Sequence, residues 1–192
     1  MLQEFSSMTL KVSASESGQS FNGTYSYDVV RSTSSAYVVK VVVNASSGSE
    51  SYSETYEFKV TTSGTLAWSY YGGENSTSSS SDVFIGAMAF FIIESPSNYV
   101  YTFSQFSQYF HASGSGTATI PSITVDYTTY TPNSTPVSFS ECGESFTYQT
   151  FNLEVGPVQG TSTSVMVLLT ADGTVAGQSV NFTIQLIDAT LE

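Results

Sequence analysis

Five of the seven asparagines in this chain open an Asn-x-Ser/Thr triplet: Asn22-Gly23-Thr24, Asn44-Ala45-Ser46, Asn75-Ser76-Thr77, Asn133-Ser134-Thr135 and Asn181-Phe182-Thr183. Only Asn98 and Asn152 stand outside the pattern. The triplet accepts N-linked glycan, which is attached on the far side of a membrane and needs a surface position. Ser and Thr make up roughly a third of the chain, so about two triplets are expected by chance. Five is an excess over that. The Asn22-Gly23 pair is chemically fragile, and its retention inside a triplet is easier to explain if sugar is needed there.

Other residue types that do chemistry are thinly supplied. His111 is the only histidine; a Ser-His-Asp triad would need it, and no Gly-x-Ser-x-Gly elbow accompanies it. Beside Tyr109 and Phe110 it reads as a packing residue. Cys142 stands alone, which rules out a disulfide within these residues and leaves an inert thiol or an interchain bridge. Glu141 and Glu144 flank it, while Asp126, Glu154, Asp172 and Asp188 are scattered. A carboxylate pair could serve glycoside hydrolysis, but spacing along a β chain does not bring such groups together. Glu74 and Asp82 bracket a Ser-rich loop without the EF-hand pattern. A Lys–Asn crosslink of the adhesin kind would have to draw on Lys11, Lys40 or Lys59. No zinc spacing, phosphate-cradling loop or dinucleotide fingerprint is present. The expectation is a protein that is not an enzyme, with no cofactor and no metal.

Composition narrows the partners. The 192 residues suffice for one domain with a real core, and 40% hydrophobic with 14% aromatic content excludes a disordered tail. Charged residues are only 10%, against about 25% in ordinary soluble proteins. Lys11, Arg31, Lys40 and Lys59 are the only permanent cations, and the net charge is −12. Nucleic acid and anionic membrane surfaces are therefore excluded as partners. Hydroxyls and amides must build the polar surface, so few ion pairs exist to be lost on acidification. The scarcity of asparagine also fits heat. Met1-Leu2-Gln3-Glu4 shows neither the cationic start nor the apolar run of a secretory signal, so an exported chain is expected to be a mature form. Val83 to Ile93 is the longest apolar run and is too short to span a bilayer.

The elements that must position these residues are strands. Period-two alternation runs through Met8–Ala14, Phe21–Val29, Tyr37–Val43 and Tyr52–Val60, with a Ser/Gly loop at Ser46–Ser49. Further strands are predicted at Thr65–Tyr71, Thr117–Tyr130, Phe146–Val155, Ser164–Thr170 and Val180–Leu186. Pro121 marks a bend or edge position. Val83–Ile93 reads equally as a buried strand or a core helix, and Phe103, Phe106 and Phe110 suggest a brief helix over Ser104–His111. Together these predict an all-β sandwich. Asn22, Asn44 and Asn181 fall on polar strand faces, and Asn75 and Asn133 in loops, so all five are expected to face solvent.

The segment Leu2–Ala14 has two readings. Its apolar face of Met8, Leu10, Val12 and Ala14 suits an ordinary first strand. It also suits a donor that completes the sheet of the next subunit, a head-to-tail contact that propagates into an open filament. The hydroxyl- and tyrosine-rich β chain, dense glycan triplets, few charges and alternating N-terminal strand resemble the thread filament subunits of thermoacidophilic archaea. That resemblance implies a pilin-like β-sandwich at 15–192 with an extended N-terminal donor strand at 1–14. It implies identical subunits joined head-to-tail by donor-strand complementation, in an extracellular, N-glycosylated appendage serving adhesion or biofilm. The chain departs from bacterial chaperone-usher pilins in giving Cys142 no partner, and it lacks the apolar N-terminal helix of type IV pilins. The alternative is a monomeric glycosylated surface or S-layer-associated module binding carbohydrate through Trp68, Tyr70, Tyr71, Tyr127 and Tyr130.

Overall fold

A computed structural model describes residues 5–16, 18–32, 36–61, 69–70, 108–141 and 144–192. Among the described residues eleven strands follow in chain order: β1 (Phe5–Glu16), β2 (Gln19–Ser32), β3 (Ala36–Ser47), β4 (Glu50–Thr61), β5 (Ser69–Tyr70), β6 (Phe110–Ile120), β7 (Ile123–Pro132), β8 (Val137–Glu141), β9 (Glu144–Pro157), β10 (Ser164–Val175) and β11 (Gln178–Leu191). Among the described residues there is no helix. The predicted all-β class is what the structure has.

All eleven strands belong to one antiparallel sheet, ordered β5-β4-β3-β2-β1-β11-β10-β9-β7-β6, with β8 added alongside β9. Most neighbours are consecutive hairpins. Strand β1, instead of hanging at an edge, closes the gap between β2 and β11. The sheet cannot lie flat. At about 4.8 Å per strand, β6 and β11 would be about 19 Å apart in a flat sheet, yet β6 and β7 pack over β11. Gly156 lies where β9 passes β7. A side-chain carbon there would collide with the Asp126 carbonyl oxygen and come within 2.6 Å of the Tyr127 Cα, so only glycine allows the strands so close.

Folding over gives the sheet a buried inner face. Phe5, Met8, Leu10 and Val12 of β1 join Tyr25 and Tyr27, Val41 and Val43, Val165 and Val167, and Ile184, Leu186 and Ala189 in one cluster. Ile120, Ile123 and Val125 cap it from β6 and β7. A second cluster centres on Phe110, Val137, Tyr148 and Ala171, edged by Tyr109, Phe139, Phe146, Phe151 and Phe182. Its rings are in contact, with centroids 4.6 Å apart for Phe110–Phe151 and 5.3 Å for Phe139–Phe146.

Several expectations change. The single strand predicted over Thr117–Tyr130 is two, because Pro121 and Ser122 (φ 71°) form a tight turn that pairs Ile120 with Ile123. Phe110 and His111, predicted to end a helix, begin β6; residues 104–107 lie outside the described residues, as does 83–93. Of Thr65–Tyr71, Ser69–Tyr70 is strand and the remainder lies outside the described residues. Strand β8 had no counterpart in the periodicity. Glu16 pairs with Gln19 in the β1–β2 hairpin, and β1 is continuous with the sheet on both sides.

Candidate glycosylation face and the N-terminal strand

The outer face of the sheet is built from the residues that alternate with the core. On β1 these are Thr9, Lys11, Ser13 and Ser15; on β2, Ser20, Asn22, Thr24 and Ser26. The register places three triplet asparagines on that face. Asn181 of β11 lies level with Ser15, Asn22 of β2 level with Ser13, and Asn44 of β3 level with Thr24 and so with Lys11. Each is exposed. They form a diagonal, with Asn22 about 8 Å from Asn44 and about 12 Å from Asn181 by sheet spacings. Ser53 Oγ donates to Asn44 Oδ1 at 2.7 Å, which steadies the side chain through its carbonyl and leaves the amide nitrogen, the atom to which an N-linked glycan would attach, out of that bond.

Asn133 is exposed too, but differently held. His111 Nδ1 lies 2.9 Å from its Oδ1, its Nδ2 donates to the Gln108 carbonyl at 2.9 Å, and its backbone N–H donates to the Tyr109 carbonyl at 2.7 Å. Asn75 lies outside the described residues. Gly23 has a reason of its own to be where it is. A side chain there would collide with the Asn44 carbonyl oxygen and sit 3.1 Å from the Ala45 Cα, so the close approach of β2 to β3 requires glycine whether or not Asn22 carries sugar.

Met8, Leu10 and Val12 are buried at 6%, 5% and 1% exposure, and Ala14 is half-buried. Met8, Leu10 and Val12 point into the core of their own chain, between β2 and β11. Phe5, fully buried, belongs with them, and alternation misses it: counted back from Met8, period two turns residue 5 outward. Register shifts along the β1–β11 pairing, one of them between Phe5 and Ser7, bring it inside. Lys11, on the opposite face, is exposed. Beside Leu10 and Met8, on the neighbouring strand β2, lie two buried tyrosines, Tyr25 and Tyr27. Burial pushes the Tyr25 phenol up to about 12 and raises that of Tyr27 further. Tyr27 Oη is buried without a hydrogen-bond partner among the described residues. Burial raises Tyr148 as well.

The remaining candidates do not converge. Among the described residues no three of His, Cys, Asp and Glu come together to hold a metal ion. Asp126 accepts from Thr117 Oγ1 at 2.9 Å, and Gln159 Nε2 reaches both its oxygens at 3.0 Å, tying β7 to the turn after β9. Glu154, Asp172 and Asp188 belong to β9, β10 and β11, the last two exposed. Cys142, Glu74, Asp82, Trp68 and Tyr71 lie outside the described residues. Glu141 and Glu144 are backbone partners at the end of the β8–β9 pairing. Tyr127 packs partly buried against the main core, with its ring over Gly116, and Tyr130 is half-buried. Among the described residues no helix is long and apolar enough to cross a membrane. A scan against protein-family models and a search of the curated proteins find no match.

Proposed function

We propose that this chain is a structural subunit of a secreted, N-glycosylated cell-surface filament serving adhesion or biofilm. The observation that carries the external location is the diagonal of Asn22, Asn44 and Asn181. Three triplet asparagines occupy exposed outward positions, on the neighbouring strands β3 and β2 and, across β1, on β11, while the inward positions beside them are filled by core residues. A surface of Ser, Thr and Asn with few charges suits a coat that carries sugar and tolerates acid.

On this reading the joint between subunits is an exchange. Strand β1 contributes Phe5, Met8, Leu10 and Val12 to the core and fills the slot between β2 and β11. The same strand of a neighbouring copy carries the same side chains in the same register and fits that slot equally. Trading strands requires the connection at residues 17–18 to open, and the in-chain contacts are then remade between chains.

One observation favours a second reading. Because β1 is paired on both sides within its own chain, the slot between β2 and β11 is already filled, which suits a self-contained glycosylated surface module. Electron microscopy of material isolated from the cell surface separates the two: long filaments support the first reading, and isolated particles under all conditions overturn it.

A further inference from the structure

We infer that Asn133, although it opens a perfect glycan acceptor triplet, is a structural clamp whose side-chain amide is left unmodified. Its three hydrogen bonds all run to the same short stretch. The backbone N–H reaches the Tyr109 carbonyl, Nδ2 reaches the Gln108 carbonyl, and Oδ1 meets His111 Nδ1. Asn133 follows directly on β7, and Gln108 and Tyr109 lead into β6, which Phe110 and His111 begin. The side chain therefore laces the open end of the β6–β7 hairpin, one pair beyond the last ladder position, Phe110 opposite Pro132.

What the lacing secures is visible in the packing. Phe110, next to His111, is buried at 7% exposure, with its ring against Phe151 and near Phe139. It is the side chain by which β6 enters the aromatic cluster. Asn44 offers the contrast: among the described residues, its side-chain bond, from Ser53 Oγ, uses only Oδ1. At Asn133 both polar ends of the amide are engaged. Sugar on Nδ2 would replace one of its two hydrogens and set a pyranose ring beside the Gln108 carbonyl and the His111 imidazole. Pro136, directly after the triplet, further restricts the backbone that a transferase must draw out.

The sugar half of this inference rests on the external location proposed above, and the clamp half does not. Two variants separate them. Thr135→Ala destroys the triplet and leaves Asn133 untouched; Asn133→Ser removes both. Expressed in a host without N-glycosylation, Asn133→Ser is expected to lower the melting temperature by about 2–6 °C, from the loss of two side-chain hydrogen bonds. Thr135→Ala should melt within about 1 °C of the parent. Equal melting of Asn133→Ser and the parent would overturn the clamp. In protein from its natural source, site-resolved glycopeptide mass spectrometry should find Asn133 bare where Asn22, Asn44 and Asn181 carry sugar. Glycan at Asn133 at the level of the other three overturns the inference and leaves the filament proposal standing. Bare asparagine at all four sites removes the main support for the filament proposal, and the melting comparison still decides the clamp.

Discussion

The most informative single atom in the core is Tyr27 Oη, buried without a partner among the described residues. A buried hydroxyl that finds no hydrogen bond costs about 1–3 kcal/mol. Tyr27→Phe keeps the ring and removes that cost, so it is expected to raise stability by about 1 kcal/mol in urea unfolding. A loss of stability would show that the hydroxyl has a partner. The same residue sets an alkaline limit. Tyr25 and Tyr27 have raised pKa values in the folded state, so both bind their protons more tightly there than in the unfolded chain. Their contribution is fully present below about pH 10, the ordinary tyrosine value, and falls away as pH rises through about 12. Melting temperature should therefore drop between pH 10 and 12, and less steeply in Tyr27→Phe. A flat profile over that range contradicts the assignment.

Among the elements, β1 was the most legible and also the most ambiguous. Alternation from Met8 to Ala14 placed its inner and outer faces, and Lys11 with Leu10 shows the consequence: one exposed, one buried. Leu10→Ala should cost about 2–5 kcal/mol, while Lys11→Ala should stay within about 0.5 kcal/mol, both read from denaturation midpoints. Similar effects for the two would mean the faces are assigned wrongly. Alternation cannot say which chain a strand pairs with, because the donor and the ordinary first strand bury the same side chains. Nor could it see Phe5, which register irregularity turns inward, or the β6–β7 turn, where Pro121-Ser122 breaks what reads as one long alternating run. The helical spacing ending at Phe110 misled because that ring faces the aromatic cluster from a strand. The acceptor asparagines were legible since type and face both lie in the local sequence. The lacing of Asn133 to Gln108 and His111 was not, as it joins residues more than twenty positions apart.

At the scale of the whole molecule, the described residues form one sheet curled upon itself, with three asparagines of Asn-x-Ser/Thr triplets on its outer face and β1 at its centre. With only four permanent cations in the chain, there is little ionic pairing for acid to break. Melting temperature is expected to change by no more than about 5 °C between pH 7 and pH 3, and a collapse over that range would contradict the acid-tolerant surface. Protonating carboxylates also relieves the self-repulsion of a chain with net charge −12, so assembly should be favoured in acid. Deleting β1, or placing Asp at Leu10, disables the fold whether the strand stays at home or is exchanged, so neither change decides the central claim. A covalent trap does. Ser13 and Thr183 are direct cross-strand partners on the outer face of β1 and β11. Antiparallel partners lie about 4.5–5.5 Å apart at Cα, within reach of a disulfide. In a Cys142→Ser chain carrying Ser13→Cys and Thr183→Cys, assembled material is oxidised and run on a denaturing gel without reductant. Strand exchange predicts a ladder of covalently linked multimers. Filaments whose oxidised subunits all run as internally bridged monomers would show that β1 never leaves its own sheet.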